Sequence, residues 1–174
     1  MEGPSQIYVI SSGGGAPRRL TSGVESVIPS WSRDGRWIYF ESRRSGQWRV
    51  WKTPADGGEP VQVTHSQGGA AFESADGKSL YFFSEDTKGL YRMPVSGGEE
   101  KKVAPVVNWW GAFSTTGKGV YFFSDAQTLQ LLDEKTGVIR TVARLEGHSA
   151  AAGSLCHPTP PTWYSPRQAI LAGI

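Results

Sequence analysis

A chain of 174 residues with 38% hydrophobic and 20% charged side chains can form a substantial core and is not disordered throughout. Its formal net charge of +2 gives no bulk attraction toward nucleic acid or another polyanion. Seven Trp, 22 Gly and 11 Pro favour short strands joined by turns, and no window holds the roughly 18 consecutive apolar residues of a membrane span.

The chain opens with MEGPSQIYVISSGGG, which has neither the basic nor the long apolar region of a signal peptide. From Ile7, IYVISSGGGAPRRLT reads as two strands around a glycine turn. Gly13-Gly14-Gly15 is not a phosphate loop, because no Lys-Ser/Thr pair follows and no helix begins there. Four short strands are expected next, at approximately Ser26–Trp31, Trp37–Ser42, Trp48–Thr53 and Pro60–Thr64. Asp34-Gly35 between the first two predicts a type I′ hairpin turn, as does Asp76-Gly77 later in the chain. Gly57-Gly58 and Gly97-Gly98 supply further turns.

The same pattern then returns twice. PSWSRDGRWIYFES from Pro29 aligns with AFESADGKSLYFFS from Ala71 and GAFSTTGKGVYFFS from Gly111. Gly35 to Gly77 is 42 residues and Gly77 to Gly117 is 40, and Tyr39, Tyr81 and Tyr121 keep those spacings. A second element, WRVWKTPADGGEPVQVT from Trp48, recurs as LYRMPVSGGEEKKVA from Leu90 and as LQLLDEKTGVIRTVA from Leu129. Runs such as WIYF and YFF are apolar at every position, which suits a strand covered on both faces. No amphipathic helix is apparent.

Four strands every 40 to 45 residues define a propeller blade. The expected fold is all-β, a partial β-propeller of four-stranded antiparallel blades with an incomplete ring. Residues 1–24 give the last two strands of a preceding blade, and 25–65, 66–105 and 106–145 one blade each. A β-sandwich would not explain aromatic and glycine markers at one common period.

Leu20 to Thr64 resembles a TolB-type, WD-like bacterial propeller repeat, through Leu20-Thr21, Pro29, Trp31-Ser32, Asp34-Gly35 and Ser42-Arg43. Arg33 stands where the family pattern has proline. Ala75 and Thr115 replace the same proline in later copies, and Thr116 replaces the aspartate. The resemblance covers about Ile7 to Leu145. It implies a non-catalytic scaffold for protein or peptide partners, one piece of a larger bacterial sensor, regulator or envelope protein. A periplasmic location is implied by the same resemblance alone. The competing implication is the propeller of a prolyl oligopeptidase-type serine peptidase without its hydrolase domain, because propellers host unrelated activities.

Each candidate site residue also has an architectural role open to it. Asp34 and Asp76 occupy equivalent turns, where an aspartate bonds its own backbone. Arg33, Arg36, Arg43, Arg44 and Arg49 form the densest charge and offer a rim for an anion or peptide, against a merely solvated face. Trp109-Trp110 offers a ligand platform, against a plug between blades. The possible binding surface is therefore Arg33, Arg43, Arg44, Trp109 and Trp110.

Gly147-His148-Ser149-Ala150-Ala151 lacks the second glycine of a nucleophile elbow. His148, Cys156 and His157 give too few ligands for zinc, and His65 stands alone. No catalytic residue, cofactor or metal site is expected, and no nucleic acid or membrane span. Beyond Leu145 the blade markers stop, and Pro158, Pro160 and Pro161 oppose a central strand. Residues 146–174 read as a non-repeat tail, either a disordered or linking segment or a product read out of frame after about Gly147. Terminal sheets with uncovered faces would favour self-association.

Overall fold

The computed structural model describes residues 3–108 and 111–146, and the backbone of 168–173. Its strands in chain order begin with β1 (Gln6–Ser11) and β2 (Arg18–Arg19). There follow β3 (Ser26–Trp31), β4 (Trp37–Ser42), β5 (Arg49–Pro54) and β6 (Val61–Gln62). Then come β7 (Gly68–Glu73), β8 (Ser79–Ser84), β9 (Gly89–Pro94) and β10 (Lys101–Ala104). The last are β11 (Phe113–Thr116), β12 (Gly119–Phe123), β13 (Thr128–Leu132), β14 (Ile139–Arg144) and β15 (Gln168–Gly173). No helix among the described residues is long and apolar enough to cross a membrane.

The sheet orders are β15-β1-β2, β3-β4-β5-β6, β10-β9-β8-β7 and β11-β12-β13-β14. This is an all-β fold of antiparallel propeller blades, the three four-stranded ones laid down strand by neighbouring strand. Two compact units contain them, residues 1–71 with 160–174, and residues 72–159.

In the first unit, Ile7 and Val9 of β1 share one buried cluster with Ile38 and Phe40 of β4. Leu20, Trp31, Trp51 and Ala55 pack around it. Alternation along β4 sends Ile38 and Phe40 to this side and Tyr39 to the other, yet all three are at most 1% exposed. Burying each such side chain stabilises the sheet by about 1.5–3 kcal/mol.

The Leu-Thr marker also acquires a physical reason. Thr21 Oγ1 accepts a hydrogen bond from the Ile7 amide at 2.9 Å, and Thr64 Oγ1 accepts from the Val50 amide at 3.0 Å. Each threonine satisfies a backbone donor next to a very short outer strand.

The Asp-Gly turns differ from the type I′ form expected of them. Positive φ occurs at Gly35 and Gly77, each at 70°, and not at Asp34 or Asp76. Gly35 N donates to Ser32 O, and Gly77 N to Ser74 O, each at 3.0 Å. These are type I turns closed by a left-handed glycine, a geometry that longer hairpins use. The aspartate side chains hold the turn, which leaves only the glycine to turn left-handed.

Ile28 at φ 51° and Ala70 at φ 49° lie 42 residues apart, at matching points of β3 and β7. In β3 the register shifts between Val27 and Ser30, so the strained isoleucine marks a bulge.

The sequence markers give no strand after Leu145, but β15 pairs with β1 through six residues, from Gln6↔Gly173 to Ser11↔Gln168. Its place is fixed by the free edge of β1 rather than by turn residues of its own, so no repeat marker announces it. Residues 147–167 lie outside the described residues.

In the second unit, β8 buries Leu80, Tyr81, Phe82 and Phe83, and β12 buries Val120, Phe122 and Phe123. Phe72 meets Phe113 edge to face, with ring centroids 5.2 Å apart. Thr115 Oγ1 donates to Glu73 O at 2.7 Å. Burial pushes the Tyr81 phenol above its ordinary range, and the hydrogen-bonded Glu134 carboxylate adds to the shift against Arg92. Tyr81 is thereby kept as a neutral donor inside the sheet packing.

Gly119 shows where this packing admits no side chain. A Cβ there would lie 2.1 Å from the Leu132 carbonyl oxygen, at a φ of +130°. Gly119→Ala is expected to destabilise the protein by about 3 kcal/mol. Gly117→Ala meets nothing within 4 Å and should cost well under half as much. Urea midpoints of the two variants provide the comparison.

Candidate functional site

The structure separates the arginines that lie close together in sequence. Arg33 and Arg36 sit in the β3–β4 turn, whereas Arg43, Arg44 and Arg49 gather at the β4–β5 connection. The six residues of β4 stand between the two groups, a length of about 20 Å. Arg33, Arg43 and Arg44 therefore do not form one continuous rim. Trp109 and Trp110 lie outside the described residues, as do His148, Cys156 and His157.

At the β4–β5 connection, the Arg43 guanidinium lies 4.6 Å from the Trp48 ring centroid, and that of Arg44 lies 5.9 Å from Phe40. Arg44 Nη2 donates to Ser22 O at 3.3 Å, and Arg49 Nη2 donates to Gln47 Oε1 at 3.0 Å. The Nε atoms of Arg44 and Arg49 are buried without an acceptor. Burial lowers the pKa of the Arg44 guanidinium, with Glu59 acting in the opposite sense. Arg44 thus serves packing as well as charge, while Arg43 remains exposed.

The opposite end of the same sheet is built differently. Ser32 Oγ donates to Asp34 Oδ1 at 2.7 Å, the Arg36 amide donates to the same oxygen at 3.0 Å, and Ser32 Oγ accepts from the Trp37 amide at 2.8 Å. The second unit repeats this arrangement with Ser74, Asp76, Lys78 and Ser79. Asp34 and Asp76 are turn residues, each bonded to its own hairpin.

Arg36 adds a further contact, Nε to Asp34 Oδ2 at 2.6 Å. Partial burial pushes the Asp34 carboxyl upward. Hydrogen bonds from Ser32 and from the Arg36 backbone and side chain outweigh that and bring it down to about 2.

Beside this turn is a cleft of about 510 Å³ lined by Arg18, Gly35, Arg36, Trp37, Pro54, Ala55 and Asp56. Arg18 Nη2 donates to Ala55 O at 2.6 Å, which fixes its guanidinium at the mouth. Lys52 Nζ lies 4.7 Å from the Trp37 ring centroid. Arg18 stands outside the arginine-rich stretch and so carries no mark in the sequence. Aligning its strand with β6 would have placed it opposite Val61 and exposed the departure. Among the described residues, no group of three or more His, Cys, Asp or Glu could hold a metal ion.

No protein-family model matches the chain. The uncharacterized protein Atu1656 of Agrobacterium fabrum is 39% identical to it over 83 residues, 46% of this chain and 28% of that protein. The Tol-Pal system protein TolB of Bordetella pertussis is 45% identical over 58 residues, 32% of this chain and 13% of its own length. The matched stretches thus cover less than a third of either relative. A solved structure assigned as TolB from Agrobacterium tumefaciens superposes with a TM-score of 0.72 at 23% identity, covering 98% of this chain and 67% of that one. At that identity the superposition establishes the fold, which is TolB-like.

The Asp34 account predicts a pH dependence of definite sign. A carboxyl held below its ordinary value of about 3.9 stabilises the folded state above that pH, and the contribution is lost as pH falls toward about 2. The side chain is 43% exposed, so solvent screening limits the effect to about 1 kcal/mol. Carbon-detected titration of the Asp34 carboxyl should give a midpoint near 2. A midpoint near 4 would mean that the turn hydrogen bonds do not form in solution.

Proposed function

Because the chain is built of TolB-like β-propeller repeats, we propose that it is a non-catalytic scaffold that binds protein or peptide partners. It acts as one piece of a larger bacterial sensor, regulator or envelope protein. The carrying observation is where the chain departs from its own repeat. The β4–β5 connection holds Arg43, Arg44 and Trp48, while the matching β8–β9 connection holds Glu85, Asp86 and Lys88. Blade architecture does not require those arginines, so a partner is a reason to have them. A periplasmic location is part of the proposal and rests on the likeness to a Tol-Pal system protein. The alternative, a peptidase propeller lacking its hydrolase domain, has only the shared fold to support it.

Cross-linking of the purified full chain in an envelope fraction of its source, read by mass spectrometry, tests the proposal. A saturable partner should link near the β4–β5 connection and weaken about tenfold or more with Arg43→Ala. Turnover of peptidase substrates by the chain, or cross-links indifferent to that substitution, would count against it.

A further inference from the structure

We infer that the cleft between the β3–β4 and β5–β6 turns is a docking groove for an acidic peptide segment. Arg18 and Arg36 receive its carboxylates, and Trp37 with Pro54 forms the apolar wall. The inference rests on the peptide-binding reading and specifies its chemistry.

Both guanidinium groups are held in place by contacts that use only part of their donor set. Arg18 spends Nη2 on the Ala55 carbonyl, and Arg36 spends Nε on Asp34. A guanidinium has five N–H donors, so each retains several for a ligand. Asp34 is itself fixed by Ser32 and the Arg36 amide, so the Arg36 clamp is oriented before any ligand arrives. Such preorganisation lowers the ordering cost of binding. The Arg36 side chain is 78% exposed, within easy reach of a ligand.

The repeat separates this groove from what blades require. The counterparts of Arg18 in the next two repeats are Val61 and Lys101, those of Arg36 are Lys78 and Lys118, and those of Trp37 are Ser79 and Gly119. Pro54 has its counterpart in Pro94, so the turn itself persists. The paired guanidiniums with an adjoining indole occur in one copy only. Since the turn folds in the next copy without them, their combination is explained by something bound.

Charge and shape select the occupant. Arg18 and Arg36 face two carboxylates, Asp56 in the lining and Asp34 bound to Arg36, and Lys52 beside Trp37 tips the balance to a positive mouth. About 510 Å³ is within the range of clefts that take ligands of several linked groups, and a single small anion would leave the Trp37 wall uncovered. Asp56 offers an acceptor to a peptide N–H, which a simple dicarboxylate lacks.

Nitrogen-15 NMR on the full chain tests this with three probes. These are a capped Gly-Glu-Leu-Glu-Gly peptide, its Gln-for-Glu counterpart, and free glutarate. The Glu peptide should shift the Trp37 indole and Arg36 side-chain signals with a Kd below about 1 mM, weakening at least about tenfold for the Gln peptide and for Arg18→Gln with Arg36→Gln. Both arginines are exposed, so the double variant should fold, with stability lowered by no more than about 1 kcal/mol through loss of the Arg36–Asp34 contact.

Equal binding of both peptides would overturn the carboxylate assignment, and glutarate matching the Glu peptide would overturn the peptide assignment. Shifts confined to the β4–β5 connection would overturn the groove while leaving the binding scaffold standing. No shift at any site by about 5 mM would overturn the groove, and the cross-linking result then decides the scaffold independently.

Discussion

The second strand of each blade in β4, β8 and β12 carries apolar side chains on both faces. A strand of that composition cannot be satisfied by a two-layer arrangement with one wet side. Ile38, Tyr39 and Phe40 are at most 1% exposed, as are Leu80, Tyr81 and Phe82. Neighbouring strands must therefore be covered as well, and repetition of one four-stranded sheet is the economical solution. Close backbone approach follows, as at Gly69, where a Cβ would fall within 2.1 Å of the Glu41 carboxylate.

Once that packing is set, the turns become the free variable. Each copy holds its first hairpin with side chains that mimic backbone hydrogen bonds, Ser32 and Asp34 in one, Ser74 and Asp76 in the next. The third copy substitutes Thr116, whose hydroxyl accepts from the Lys118 amide and donates to Gly119 O. Two chemically different solutions to one turn across three copies show how little the architecture fixes outside Ser, Asp, Thr and Gly. Residues exposed beside these turns are thereby released to carry a surface chemistry particular to each blade.

The strands and their order were legible because aromatic, glycine and threonine markers recur at a common spacing. Expected strands at Ser26–Trp31 and Trp37–Ser42 coincide with β3 and β4. The turn type was not legible, since Asp-Gly is compatible with both type I′ and type I followed by a left-handed glycine, and side-chain capping decides between them. The pairing of β15 with β1 was not legible either, because it joins segments more than 150 residues apart with no shared motif. The arginine group appeared continuous in sequence because strand β4 is short, although its two ends project to opposite ends of the sheet. Arg18 was missed because its contribution is set by a neighbour in space, the Ala55 carbonyl, 37 residues away.

Amide hydrogen exchange tests the central claim most directly, that burial of β4, β8 and β12 on both faces governs the fold. The account predicts that amides in these three strands exchange slowest, near the global unfolding limit, while those of β2 and β6 exchange through local opening. Fast exchange within β4, β8 and β12, or protection spread evenly from those strands to the outer ones, would contradict it.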